Sequence, residues 1–225
     1  MPRPTFFNLP ADKRARLVEL AIDEFAGHPF GEASISRIVA GAGIAKGSFY
    51  QYFDDKLDLF RWLLVHEITG RKIAFLATRP LPDTTRVFTL LEHLVVVGLQ
   101  FGLANPRLAR VALLAGQRSP DPALSTVVTE WESNGRAQVR ELLERAQRTG
   151  ELRPDVDLEL AVDLVQVVLR HGLDVVMRRR FGFDVWEVCT DPDRTLTEEQ
   201  ARSVAADVIG GLRDGIGTNS AEDAS

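Results

Sequence analysis

Gly43-Ile44-Ala45-Lys46-Gly47-Ser48-Phe49-Tyr50-Gln51-Tyr52-Phe53, with Lys56 three residues further on, reads as a short helix with two incompatible faces. Phe49 and Phe53 are four apart and share a side, which suits burial in a small core. Lys46 and Tyr50, also four apart, share a different side, with Gly47, Gln51 and Tyr52 beside or near them. That second face carries a cation, an amide that donates and accepts, two phenols and a flat glycine, and no acid. Such a surface suits a polyanion whose outer edge is phosphate and whose inner edges can be read by hydrogen bonds.

The residues just upstream give the segment a context. Ser34 is placed as an N-cap, because its hydroxyl can accept from an unpaired amide at a helix start. Ile35, Ile38 and Val39 then form one apolar stripe, which Gly41-Ala42-Gly43 stops. Two short helices across a glycine turn are the helix-turn-helix arrangement, whose second helix enters the DNA major groove. A longer helix precedes them, starting at Asn8-Leu9-Pro10, with Leu17, Val18, Ala21, Ile22 and Phe25 on its buried side. Gly27 and Pro29 end it.

Phe6-Phe7-Asn8-Leu9-Pro10, Ala33-Ser34-Ile35-Ser36-Arg37-Ile38-Val39 and the run from Gly43 to Lys56 together resemble the DNA-binding domain of the tetracycline-repressor (TetR) family. The resemblance covers roughly residues 7–70; the rest matches in helical layout and length alone. It implies an all-α fold of about nine helices. A three-helix helix-turn-helix domain at 7–54 would precede a helical ligand-binding and dimerisation domain at 55–215 and a disordered tail at 216–225. One departure stands out. The family commonly has serine or threonine at the position of Ala45, and alanine there forfeits a cap of roughly 1 kcal/mol.

By this resemblance and by side-chain chemistry, the DNA-binding candidates are Ser34, Ser36, Arg37, Lys46, Gly47, Ser48, Tyr50, Gln51, Tyr52 and Lys56. Tyr50 and Tyr52 would donate phenolic hydrogen bonds to the DNA backbone, and Lys56 would meet a phosphate. Gln51 or Lys46 would read base edges, glutamine pairing with adenine and lysine with guanine. Blander readings stay open: Lys56 paired with Asp55 or Asp58, Tyr52 closing the core, Ser34 only capping, Arg37 solvated, and Gly47 touching nothing.

Beyond Asp54 no strand pattern occurs. Helices are expected over 56–77, 84–104, a shorter span opened by Asn105-Pro106, 123–148, 158–178 and 201–212, with a loop over 181–196. Leu160, Leu164, Val167, Val168 and Val175, with Val204, Val208 and Leu212, place apolar residues on more than one face of the last two helices. Such helices bury one side inward and another against a partner, which predicts a homodimer. Trp62, His66, Phe75, Phe88, His93, Phe101 and Trp131 are candidates for the pocket of a small-molecule effector, with plain core packing as the alternative.

Composition constrains the remainder. The chain has 225 residues, is 45% hydrophobic and carries a net charge of −5. Residues 1–72 hold ten basic and nine acidic side chains, leaving 17 basic and 23 acidic in the rest. The asymmetry has the sign expected of a DNA-binding N-terminal part but is small, so two subunits should have to act together. The single cysteine, Cys189, allows no internal disulfide and fits a reducing compartment. There is no signal-peptide apolar core, and the longest uncharged apolar stretch, 94–106, is too short for a bilayer. The expected setting is the cytoplasm, with no membrane contact. His28, His66, His93 and His171 are scattered without metal-ligand spacing, and no phosphate loop or nucleophile elbow occurs. Neither catalysis nor a cofactor is expected. The expected function is a ligand-responsive regulator, most simply a repressor on a palindromic operator. The rival is a helical ligand-binding or scaffolding dimer that does not bind DNA.

Overall fold

The computed structural model describes residues 1–79, 81–84, 86–117 and 121–217. Among them lie eleven helices and no strand, only an isolated bridge between Leu152 and Gly217. The helices are α1 (Pro4–Phe7), α2 (Ala11–Gly27), α3 (Ile35–Ala42), α4 (Lys46–Phe49), α5 (56–77), α6 (Val87–Ala104), α7 (Pro106–Ala115), α8 (Pro122–Arg148), α9 (158–181), α10 (Val185–Thr190) and α11 (Glu198–Ile216). Helix α5 widens to π geometry over Leu63–Ile68, and α9 does so over Val168–Gly172.

The chain divides into two compact units. The first comprises Met1–Ala74 with Asn105–Glu132, the second Phe75–Ala104 with everything described from Ser133 onward. In the first, α2 packs on α3 and α7. Leu17, Val18, Ala21, Ile22 and Phe25 form the buried side of α2 that their spacing predicts. Rings fill much of this core. Phe6 lies 5.0 Å from both Phe53 and Trp62, and Phe25 lies 4.8 Å from Phe60. Helix α3 stops because Gly43 turns left-handed at φ 67°, which lets its N–H reach Ala40 O. Gly41 lets α2 approach closely, since a Cβ there would meet Leu20 at 3.0 Å.

In the second unit, α6 and α11 pack along one another, and Val87, Leu91, Val95, Leu99, Val204, Val208 and Leu212 share one apolar cluster. By length and composition α6 could cross a membrane, a property that counting only uncharged residues misses, because Glu92 interrupts the run. Half of it is buried in this structure.

Two expectations need correction. Residues 181–196 are not a plain loop, since they contain α10, closed by a reciprocal cap. Asp184 accepts from Glu187 N–H while Glu187 accepts from Asp184 N–H. Asp184 also takes Arg178, and Arg180 reaches Asp207 at 2.5 Å. The Asp-x-x-Glu pattern at 184–187 announces such a cap in sequence. The disordered tail expected over 216–225 does not include its first two residues. Ile216 is buried at the end of α11, and Gly217 bridges Leu152. Residues 218–225 lie outside the described ones. The two helices beyond the expected nine are α1 and α10.

Candidate nucleic-acid interface

The site is built on α3, the Gly43 turn and α4. Ala45 caps α4 with no side-chain bond, as alanine must, and the regular helix lasts only from Lys46 to Phe49. Tight turns continue it, with Gln51 N–H bonded to Ser48 O and Phe53 N–H to Phe49 O. Phe49 and Phe53 are fully buried, their rings 5.6 Å apart. That burial turns the opposite face outward. Lys46, Gly47 and Gln51 are exposed, and Tyr50 is 43% exposed, its ring edge-on to Phe49. Ser48 and Tyr52 are half-buried. On α3, Ser36 and Arg37 are exposed and Ser34 is half-buried.

Several of these side chains are already engaged. Ser34 stands at the N-cap of α3, but its hydroxyl makes no cap bond, and its N–H donates to Glu24 Oε1 at 2.7 Å. Arg37 donates from Nε to both Glu24 oxygens at 3.0 Å and from Nη2 to Glu32 O at 2.9 Å. Lys56 is half-buried and paired with neither Asp55 nor Asp58. Its ammonium donates to Phe30 O at 2.6 Å, Ala33 O at 2.9 Å and Gly31 O at 3.4 Å, and sits 4.5 Å from the Phe30 ring centre. An ammonium has three hydrogens, so a phosphate contact requires displacing one of these carbonyls. Burial pushes the Lys56 pKa below the ordinary lysine value. Burial works against ionising Glu24 too, but hydrogen bonds from Arg37 and the Ser34 N–H outweigh it and hold its pKa below the usual carboxylate range.

The N-terminal arm also shapes the site, and sequence reading missed it. Arg3 N–H donates to Tyr52 O at 2.8 Å, the Thr5 hydroxyl donates to Gln51 O, and the Arg3 guanidinium holds Asp54 at 2.6 Å. These contacts fix the backbone that carries Gln51 and Tyr52. Their partners are about fifty residues away in sequence, where periodicity gives no signal.

The seven effector-pocket candidates do not gather in one unit. Trp62, His66 and Trp131 belong to the first, where Trp62 packs on Phe6 and Phe53 and His66 is exposed beside Met1. Trp62 and His66 are therefore withdrawn as pocket residues. Phe75, Phe88, His93 and Phe101 belong to the second. There Phe75 meets Phe101 edge-on at 5.4 Å, and His93 Nε2 is buried with no hydrogen-bond partner. A polar cleft of about 100 Å³ beside Phe88, lined by Arg86, Glu92, Glu151 and Arg213 among others, is too small for an effector of ordinary size. Among the described residues no group of His, Cys, Asp and Glu is arranged to hold a metal.

Comparison with known proteins then decides the family. Residues 17–63 match the profile described as bacterial regulatory proteins, tetR family, and residues 81–180 match that of the tetracyclin repressor-like C-terminal domain. A TetR family transcriptional regulator from Chloroflexus aurantiacus J-10-FL is 36% identical in sequence. The match covers 97% of this chain and 100% of that one, with a TM-score of 0.73. The chain belongs to the TetR family. Within that family, the probable acrEF/envCD operon repressor of Escherichia coli K12 is 22% identical over 183 residues, 77% of this chain and 80% of the repressor. The Bacillus subtilis regulator FadR, solved in complex with stearoyl-CoA, shares the fold at 16% identity, with a TM-score of 0.69 over 90% of this chain and 98% of its own. The chain is thus a DNA-binding transcriptional regulator of the TetR family, its helix-turn-helix in the first unit.

Proposed function

We propose that this regulator represses transcription in the cytoplasm as a homodimer on a two-fold operator and leaves the DNA when a small molecule binds. The observation that carries this reading is the outward face of Lys46, Gly47, Tyr50 and Gln51 over a buried Phe49–Phe53 anchor. Ser34, Ser36, Ser48 and Tyr52 flank it as further DNA contacts. Dimerisation draws support from α9, where Leu160, Leu164, Val167 and Val175 form an exposed apolar stripe while Ala161, Val162 and Val165 face the core. Two-fold pairing through α9 and α11 sets two reading segments about 34–36 Å apart, one turn of B-DNA. Occupied DNA at a promoter excludes polymerase.

Release requires an effector that prefers a state with those segments out of register, since a ligand shifts an equilibrium only by its differential affinity. The residues proposed for its site are Phe75, Phe88, His93 and Phe101, with the unpartnered His93 Nε2 as the polar anchor; Trp131, which belongs to the other unit, is left out of it. An effector with an apolar body and one hydrogen-bonding group fits that set.

A gel-shift assay on DNA upstream of the chain's own coding sequence tests the reading. The parent retards the fragment at low salt, and Tyr50→Ala or Lys46→Ala weakens binding at least tenfold, about 1.4 kcal/mol. No retardation at low salt contradicts it and favours a scaffolding dimer without DNA-binding activity.

A further inference from the structure

We propose that Glu24, Arg37 and Lys56 form an electrostatic clamp on the loop entering α3, and that both cations serve DNA binding by positioning that helix rather than by neutralising phosphate. The proposal rests on the DNA-binding reading above. Its basis is the way the hydrogen bonds of residues 29–33 are satisfied. Pro29 O accepts from the N–H groups of Glu32 and Ala33 at 2.9 and 3.1 Å. Phe30, Gly31 and Ala33 give their carbonyls to Lys56, and Glu32 gives its carbonyl to Arg37. Ser34 N–H, which no helical carbonyl can satisfy, goes to Glu24. Every loop carbonyl thus meets a donor, and the first amide beyond them meets a carboxylate.

Burial makes the arrangement consequential. The Glu24 side chain is only 7% exposed, and it joins α2 to α3 through a two-toothed guanidinium contact and a backbone bond. His28 approaches the same carboxylate at 3.6 Å. A buried carboxylate stripped of Arg37 loses its one guanidinium partner and keeps only the Ser34 N–H and the more distant His28, so the loop moves to rehydrate it. Ser36 lies one residue before Arg37, on the helix the clamp orients, so a shift of that start displaces the whole reading head.

The test compares Glu24→Gln, Arg37→Met and Lys56→Met with two charge-keeping variants, Arg37→Lys and Lys56→Arg, in the full-length protein. DNA affinity is measured against salt concentration, and amide hydrogen exchange is measured without DNA. The clamp predicts that all five weaken binding at least tenfold with an unchanged salt slope. It also predicts that Ser34 and Ala33 amides exchange at least tenfold faster in the free variants. Charge-keeping variants fail too, because lysine lacks the guanidinium fork and arginine does not fit a carbonyl cage built for an ammonium. Direct neutralisation of phosphate predicts instead a salt slope shallower by about 0.9 for each phosphate no longer paired, with charge-keeping variants close to the parent. Either result overturns the clamp, as does unchanged exchange at Ser34 in Glu24→Gln. A parent that fails to bind DNA overturns the underlying reading, a separate outcome because the exchange measurement needs no DNA.

Discussion

At the residue scale, Gly43 separates the two helices of the reading head with φ 67°, a conformation that costs an L side chain roughly 1–2 kcal/mol. Nothing lies within 4 Å of where its Cβ would be, so the cost of Gly43→Ala is backbone strain alone. That substitution is expected to lower Tm by roughly 2–8 °C, the size of about 1–2 kcal/mol in a chain of this length. A melting curve that superimposes on the parent's contradicts the assigned turn. Phe49 and Phe53 are legible as anchors because they sit one helical turn apart on one side, although Phe6, which also meets Phe53, is far away in sequence. The surroundings of Lys56 are not, because its carbonyl partners sit 23 to 26 residues earlier and come from backbone, which has no sequence signature. For Glu24 the difficulty is similar. It follows the acidic pattern of Asp12, Glu19 and Asp23, yet it alone of these four is buried. Only the packing of α2 on α3 separates it from its exposed neighbours.

At the element scale, α9 shows how far hydrophobic spacing reaches. One apolar side of this helix meets the cluster that includes Ala161, Val162, Val165, Val204 and Val208. Leu160, Leu164 and Val167 stay on the other side at 56%, 41% and 56% exposure, the stripe that the proposed dimer would cover. Replacing Leu164 with aspartate sets a charge in the middle of that stripe. The expected result is a single-chain mass by light scattering at micromolar concentration, with an unchanged helical circular dichroism spectrum. A variant that keeps the parent's mass locates the seam elsewhere. By contrast, α1 and α10 escape the periodicity reading because each is under two turns long. Their stability comes from Phe6 burial in one case and from the Asp184–Glu187 cap in the other. Ion pairs between elements are equally invisible in sequence. Arg107 of α7 spans Glu19 and Asp23 of α2, and Arg71 of α5 reaches Glu19 of α2. In Glu19, burial opposes ionisation, but the two arginines prevail and hold its pKa below the ordinary range.

At the scale of the whole molecule, charge bears on the proposed pairing of two reading heads. Residues 1–72 carry ten basic side chains, but Arg3, Arg37, Arg61 and Arg71 each face a carboxylate, and Lys56 is held by carbonyls. Arg14 and Arg16 also meet backbone carbonyls, of Phe7 and Gly41, which leaves Lys13, Lys46 and Lys72. On the proposed reading, affinity therefore comes from pairing two heads. The most direct measurement of this claim is a hydroxyl-radical footprint on the upstream DNA. The account predicts two protected patches related by two-fold symmetry, their centres about 10–10.5 base pairs or a multiple of that apart. Both should vanish together in Tyr50→Ala. A single unsymmetric patch, or none at low salt, contradicts it.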